Sequence, residues 1–137
     1  MNAQRVLLAA LAGAVTLFAC GYVIYILLFG NSPLGMEPSA EGVLNVKTNF
    51  SGIIVMELLY GLLLAVTLNW KGTGSFSSGL IPGGLIGALV GITYGLDLMS
   101  TTNLVNFNAV LFWGVTYLVR YALAGGVIGL VYSKQAK

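Results

Sequence analysis

The chain has 137 residues, of which 58% are hydrophobic and only 7% are charged, against roughly 25% charged residues in ordinary soluble domains. Its mean hydropathy is +0.93, and a chain of this length could not cover so much apolar surface in water. We therefore expect an integral membrane protein with one domain, 1–137. The six basic and four acidic residues are scattered along the chain, which excludes a nucleic-acid-binding surface.

Several kinds of chemistry are excluded by the residue types that the chain lacks. It has no histidine, so a His-ligated haem, a His-ligated zinc site and an imidazole base are ruled out. Cys20 is the single cysteine and cannot form an internal disulfide or a thiol redox pair. The sequence also lacks a nucleophile–base pair. We therefore expect no enzymatic activity, no metal and no cofactor.

Four apolar segments predict four transmembrane helices, because each reaches or approaches the ~20 residues that span a hydrocarbon core. A helix satisfies its own backbone in lipid, whereas an open strand does not. The predicted helices cover about 6–29, 52–69, 80–98 and 109–132, with a long outer loop at 30–51. The predicted fold class is all-α, an integral membrane bundle of four transmembrane helices.

The first predicted helix begins like a lipoprotein signal peptide, with a positive start, an apolar run and a small residue before Cys20. However, the apolar run continues directly after the cysteine as GYVIYILLF, and Phe18 suits a processing site poorly. We therefore interpret this segment as an uncleaved spanning helix.

The connection between the second and third helices, KGTGSFSSG at 71–79, is predicted to be a flexible linker. It is rich in glycine but lacks the GK[ST] ending of a phosphate-binding loop. Pro82 is expected in the first turn of the third helix, where its missing N–H costs nothing.

The distribution of basic residues predicts the orientation of the bundle. Of the basic residues outside the predicted membrane helices, only Lys47 falls on the side of the long loop. The others fall on the opposite side: Arg5, Lys71, Lys134 and Lys137. We therefore place both termini in the cytoplasm.

The third helix carries glycine at every fourth position. These glycines form one stripe of small residues: Gly83, Gly87, Gly91 and Gly95. Glycines let two membrane helices approach closely and gain dispersion contacts. Gly125 and Gly129 form a shorter stripe of the same kind on the fourth helix. The stripe predicts a close helix contact, either inside the bundle or at a dimer seam. The expected partners are the lipid bilayer and either a second copy or other membrane subunits.

Two charged residues, Glu57 and Arg120, fall inside predicted membrane helices. Each would cost roughly 2.5–3.5 kcal/mol alone on insertion scales. At ~1.5 Å per residue, Glu57 lies about 7 Å and Arg120 about 16 Å from the outer boundary, a gap that the arginine stem can bridge. We predict that they form an ion pair, with Tyr60, Asn69 and Tyr117 as nearby hydrogen-bonding groups.

The predicted pair has two interpretations. It is either a structural ion pair that fixes the register of the second and fourth helices, or an ion or proton site, since charged residues within membranes are candidates for function. An arginine partner favours the charged form of a carboxylate, and a permanently charged Glu57 would carry protons poorly. That consideration favours the structural interpretation.

A polar cluster is predicted at the outer end of the third helix, where hydroxyl and amide groups can hydrogen-bond the carboxylate of Asp97. Its members are Asp97, Thr101, Thr102 and Asn103. The cluster either orders the loop or forms an entrance for a cation or polar ligand.

Four short helices with YGLDLMSTTNL between the third and fourth resemble a broad group of small bacterial four-helix membrane proteins, classed as domains of unknown function. The matching residues are Tyr94, Asp97, Thr102 and Asn103, together with the run AGGVIGLVY near the C-terminus. This resemblance implies a location in the bacterial cytoplasmic membrane and supplies no activity.

For function, we expect a structural or accessory membrane protein that binds itself or other membrane subunits through its glycine faces. The alternative is a small oligomeric ion or solute transporter or channel that uses Glu57, Arg120 and Asp97.

Overall fold

The computed structural model describes residues 2–29 and 49–134, which form four long α-helices. Helix α1 (Ala3–Gly21) continues without a break into a π-helical segment, Tyr22–Leu28. The other helices are α2 (Phe50–Trp70), α3 (Phe76–Thr101) and α4 (Phe107–Lys134). With the π-helical segment counted as part of α1, each of the four is long and apolar enough to cross a membrane.

The predicted all-α class with four such helices is therefore confirmed. The predicted outer loop at 30–51 lies mostly outside the described residues, and its last two residues, Phe50 and Ser51, already belong to α2.

Helix α3 begins at a capping box formed by Ser75 and Ser78. The Ser75 hydroxyl accepts a hydrogen bond from the Ser78 N–H at 3.2 Å, and the Ser78 hydroxyl accepts one from the Ser75 N–H at 3.0 Å. Such a box satisfies two of the N–H groups that a helix start leaves unpaired, so the helix begins at Phe76.

This early start corrects two predictions. The last part of the predicted linker at 71–79 is helical, and the turn between α2 and α3 is shorter, with Gly72 at a φ of 74°. A residue with a side chain rarely adopts that conformation. Pro82 therefore lies in the second turn of α3, not in the first.

Helix α4 is the centre of the bundle. It packs against α3 on one side and against α1 and α2 on the other, whereas α2 and α3 have little contact. Tyr121, Ala124 and Ile128 of α4 are completely buried, and Leu17 of α1 and Leu64 of α2 are buried on the facing helices. Helix α3 is therefore positioned by its contact with α4, whereas α2 is positioned mainly by its contact with α1.

The glycine stripe of α3 faces α4 of the same chain. A Cβ atom added at Gly91 would lie 2.8 Å from the Trp113 carbonyl carbon, and one at Gly95 would lie 2.8 Å from the Val110 Cα. Real Cβ atoms essentially never come this close to backbone atoms. The stripe thus lets two helix backbones touch inside the bundle, and it is not available as a dimer seam.

The same contact extends beyond the predicted stripe. Gly79, which the sequence assigned to the linker, lies against Gly125, and a Cβ at Gly79 would be 2.8 Å from the Gly125 carbonyl carbon. A Cβ at Gly129 would be 2.9 Å from the carbonyl carbon of Ser75. Gly125 and Gly129 are therefore the α4 side of this contact.

The outward surface of the bundle is made of large apolar side chains. Leu7 and Val15 of α1 and Ile81 and Leu85 of α3 are each more than 60% exposed. Side chains of this kind on the outside of every helix are what a hydrocarbon environment favours.

Candidate functional site

The ion pair lies between α2 and α4, where both side chains are almost fully enclosed. Glu57 is 3% exposed and Arg120 is 2% exposed. The Arg120 Nη2 donates to Oε1 of Glu57 and also to the Leu17 backbone carbonyl, at 3.2 Å. The contact predicted between Glu57 and Arg120 is present, and the guanidinium additionally reaches α1, so one side chain connects three helices.

A glycine in α1 makes room for the guanidinium. A Cβ atom added at Gly21 would lie 3.1 Å from the Arg120 Nη2 and 3.3 Å from its Cζ. The guanidinium therefore lies directly on the backbone at the end of α1. The sequence signal for this approach is the recurrence of small residues along α1 at Ala9, Gly13 and Gly21.

Two tyrosine rings flank the guanidinium. The Arg120 Cζ lies 5.5 Å from the centre of the Tyr25 ring and 5.2 Å from that of Tyr117, within the range of cation–π attraction. Tyr25 belongs to the π-helical segment, and its hydroxyl shares a hydrogen bond with Thr116 Oγ1 at 3.0 Å. Tyr25 is not identifiable as a site residue from sequence spacing, because a π-helical segment shifts side chains away from the positions that α-helical spacing predicts.

We expect Tyr25→Phe to lower the free energy of unfolding by about 1 kcal/mol, because it keeps the ring over Arg120 and removes one hydrogen bond. Denaturation of the micelle-bound protein with SDS measures this change. Tyr22→Phe is the matched control, since Tyr22 is about half exposed and its replacement should change stability by less than about 0.5 kcal/mol. Equal losses in the two variants would contradict the assigned role of Tyr25.

The three residues predicted to support the ion pair differ in whether the structure places them beside it. Tyr117 contacts the guanidinium with its ring, and Tyr60 packs edge-on against Tyr117 with ring centres 6.2 Å apart. Within the described residues, neither hydroxyl hydrogen-bonds to the pair. Asn69 does not belong to the site, because it lies in the last turn of α2, about 18 Å along the helix from Glu57 at 1.5 Å per residue. Glu57, Gly61, Ala65 and Asn69 are spaced by four residues. This spacing predicts a common helix face and does not limit the distance along the helix.

The pair lines a cavity of about 230 Å³. The cavity lies where the π-helical segment ends and α2 begins, which is the predicted outer half of the bundle. Most of its wall is aromatic or aliphatic, and its aromatic residues are Phe18, Tyr22, Tyr25, Phe50, Tyr94, Trp113 and Tyr117. Tyr22, Phe50 and Tyr94 are about half exposed, so they form the rim on the surface.

Glu57 has a second carboxylate oxygen that is not used by the ion pair. Its Oε2 is buried and has no hydrogen-bond partner among the described residues. Glu57 also borders a shallow apolar groove on the outer surface of α1 and α2, which includes Leu11, Val15 and Leu58. A buried acceptor without a donor is costly. Arg120 Nε, a buried donor, is likewise without a partner among the described residues.

The polar residues at the end of α3 do not assemble around the Asp97 carboxylate. The Thr101 hydroxyl donates to the Asp97 backbone carbonyl at 2.7 Å, and the Thr102 hydroxyl donates to the Leu98 carbonyl at 2.6 Å. Threonine commonly bonds back to the carbonyl four residues earlier, and this local bond replaces the predicted one. Asp97 and Asn103 are exposed.

Asp97 is also separate from the cavity. It lines a surface groove with Thr93 and Tyr94, and only Tyr94 is shared with the cavity that holds the ion pair. Among the described residues, no group of three histidine, cysteine, aspartate or glutamate side chains is arranged to hold a metal ion. The site therefore consists of the ion pair, in which Glu57 Oε2 and Arg120 Nε are buried and unpaired among the described residues, and an aromatic wall.

Comparison with known proteins finds no match, either to a family model, to a curated protein or to a solved structure. The resemblance to small bacterial four-helix membrane proteins therefore stays a prediction.

Proposed function

We propose that this protein is an integral membrane protein of the bacterial cytoplasmic membrane with both termini in the cytoplasm. The apolar outer surface of the four helices supports insertion. The excess of basic residues at one end supports the orientation, and the family resemblance supports the location.

Cysteines introduced at Ser77 and Asn108, at opposite ends of the bundle, should be labelled by a membrane-impermeant maleimide from opposite sides.

Within the membrane, we propose that the protein binds a small solute at the Glu57–Arg120 site, as a carrier or transporter does. One observation carries this proposal: the Glu57–Arg120 pair lines a cavity, and Glu57 Oε2 and Arg120 Nε are both buried without a hydrogen-bond partner among the described residues. A pair that served only to join helices would be expected to use both carboxylate oxygens. Asp97 is not part of this proposal, because it lies outside the cavity.

A ligand-stabilisation screen tests the proposal. We expect at least one small solute to raise the free energy of unfolding by about 2.7 kcal/mol at 100 times its dissociation constant. The same solute should have no such effect on Ile53→Phe, which fills the cavity. Val55→Phe is the control, since Val55 is 56% exposed and lines neither the cavity nor the neighbouring groove. A solute that stabilises all three proteins equally would speak against the site.

The second candidate function is the structural or accessory role. It is favoured by the way that Arg120 joins α1, α2 and α4. Since the glycine faces are filled inside the chain, a partner subunit would have to bind the outer apolar surface instead. Native mass spectrometry of the gently solubilised protein distinguishes the candidates, because foreign subunits in fixed ratio support the accessory role and a solute-binding monomer or homo-oligomer supports the carrier.

A further inference from the structure

We propose that the bundle moves as two units, α1 with α2 and α3 with α4, and that a contact between Arg5, Tyr132 and Ala65, here called the inner clamp, holds the units together at one end. This end, at which Arg5 and Lys134 lie, is the predicted cytoplasmic or inner end. The inference rests on the solute-binding function proposed above, because a carrier has to open its site to each side of the membrane in turn.

Within each unit the two helix backbones touch. In the α3–α4 unit this contact is the glycine stripe described above. In the α1–α2 unit Gly61 lies against the α1 backbone, and a Cβ atom added there would lie 2.8 Å from the Ala14 backbone nitrogen. Closely packed backbones cannot separate without losing many contacts at once. Each unit is therefore expected to move as one body.

Between the two units the closest glycine contacts involve side chains. A Cβ atom added at Gly13 of α1 would lie 2.7 Å from the Ile128 Cδ1, and one at Gly21 would lie 3.1 Å from the Arg120 Nη2. Both of these atoms are at the ends of long side chains, which can change rotamer when two surfaces turn against each other. The interface between α4 and the α1–α2 unit is therefore where the bundle can change shape.

The cavity lies at this interface and ends at the ion pair. On α1, α2 and α4, the lining residues nearest the inner end are Phe18, Glu57 and Arg120. Farther toward the inner end, side chains from the same three helices are completely buried: Leu17, Leu64 and Ile128. A solute beside the ion pair can therefore reach the inner side only if the two units separate below it.

The inner clamp joins the two units beyond this apolar layer. Arg5 Nη2 donates to the Tyr132 backbone carbonyl at 2.8 Å, and its Cζ lies 4.9 Å from the centre of the Tyr132 ring. The Tyr132 hydroxyl donates to the Ala65 carbonyl at 2.6 Å. Helix α4 is thus joined to both α1 and α2 at a level about 18 Å along the helix from Arg120, at 1.5 Å per residue.

The inner clamp and the ion pair have different roles in this motion. Arg120 joins the same three helices through Glu57 and the Leu17 carbonyl, and an unpaired charge at that depth is costly. The ion pair therefore stays closed and acts as the pivot. The inner clamp lies at the helix ends, where Arg5 is partly exposed and water can replace each lost hydrogen bond. It is the contact that opens.

Distances between pairs of spin labels test this motion, measured by double electron–electron resonance on the full chain in lipid nanodiscs. Cys20→Ala removes the native cysteine, and labelled cysteines are introduced at exposed positions. Labels at Gln4 and Lys134 report the distance between the units at the inner end. Labels at Ser51 and Asn108 report it at the outer end. A third pair, at Ser77 and Lys134, reports the distance within the α3–α4 unit.

Tyr132→Phe keeps the ring and removes the hydrogen bond to the Ala65 carbonyl. We expect the ratio of long to short inner distances to rise about fivefold, the effect of one hydrogen bond, and about tenfold more in Arg5→Met/Tyr132→Phe. The outer distance should shorten in the same fraction of molecules, while the distance within the α3–α4 unit stays unchanged. Thr67→Val is the control, because the Thr67 hydroxyl bonds to the Leu63 carbonyl of its own helix, and it should change none of the three distances.

Three results would overturn the proposed motion. An inner distance that lengthens while the outer distance stays the same would mean that the substitution only loosens that end. A changed distance between Ser77 and Lys134 would mean that α3 and α4 do not move as one body. Unchanged distances in Tyr132→Phe would mean that the inner clamp does not hold the units, and this conservative variant decides the test if the double variant does not fold.

The outcomes also separate the motion from the function on which it rests. If the distances respond as expected but no solute stabilises the protein in the screen described above, the solute-binding function fails and the motion stands. If a solute stabilises the protein but not Ile53→Phe, and the distances do not respond, the motion is overturned and the solute site stands.

Discussion

Arg120→Met is expected to lower the free energy of unfolding by about 3–5 kcal/mol, the largest effect that we anticipate from a single substitution. The change leaves the Glu57 carboxylate buried at 3% exposure without its counter-charge, and an uncompensated buried charge is far more costly than the loss of one contact. It also removes the hydrogen bond to the Leu17 carbonyl and hence the connection to α1. Unfolding by SDS, followed by helical circular dichroism, measures the loss.

The double variant Glu57→Leu/Arg120→Met should recover most of that stability. When both charges are replaced by apolar groups of similar size, the desolvation cost disappears together with the attraction. Asp97→Asn is the control for removing a carboxylate, and because Asp97 is exposed it should change stability by less than about 0.5 kcal/mol. A double variant as unstable as Arg120→Met would mean that the pair is not the cause of the loss.

The second large effect is expected from Gly87→Ala, which should destabilise the bundle by about 2–3 kcal/mol. The new Cβ would lie 2.7 Å from the Tyr121 Cγ and even closer to the Tyr117 carbonyl oxygen. The α4 backbone cannot move away without disturbing its contacts with α1 and α2, so the two helices have to separate. The same SDS titration measures the change.

Two other glycines provide graded controls for this substitution. A Cβ at Gly84 would meet the Ala122 Cβ at 3.2 Å. One at Gly52 would meet, of the described residues, only the Asn49 side chain at 3.5 Å. Gly84→Ala should therefore cost less than Gly87→Ala. Gly52→Ala should stabilise α2 by up to about 1 kcal/mol, the difference in helix propensity. If all three substitutions have the same effect, propensity and not close packing governs the response.

The glycine pattern of α3 shows which part of the helix packing can be predicted from the sequence and which part cannot. Four glycines spaced by four predict a close helix contact for a simple steric reason, and the structure contains that contact. The spacing of Gly83–Gly95 cannot say which helix is the partner, because a second copy would accept the same surface. The partner is decided by Gly125 and the backbone of α4, and so by how the whole chain packs.

The ion pair was predictable for a different reason. Glu57 and Arg120 each need a partner in an apolar environment, and their estimated depths made one arrangement possible. The cavity beside them was not predictable. It depends on Tyr25, whose position follows from the change from α- to π-helix at Tyr22, and on rings contributed by four separate helices. No periodicity within one segment contains that information.

The central position of α4 has a consequence for biosynthesis. Arg120 leaves the ribosome 63 residues after Glu57, which corresponds to roughly 3–13 s at ~5–20 residues per second. During that interval α2 would enter the bilayer with its acid unpaired, and a carboxyl group can do so in its protonated, neutral form. Arginine has no neutral form to use, so synthesis in the opposite order would expose a permanent charge to lipid. In this chain Glu57, which has a neutral form, is synthesised before Arg120, which has none.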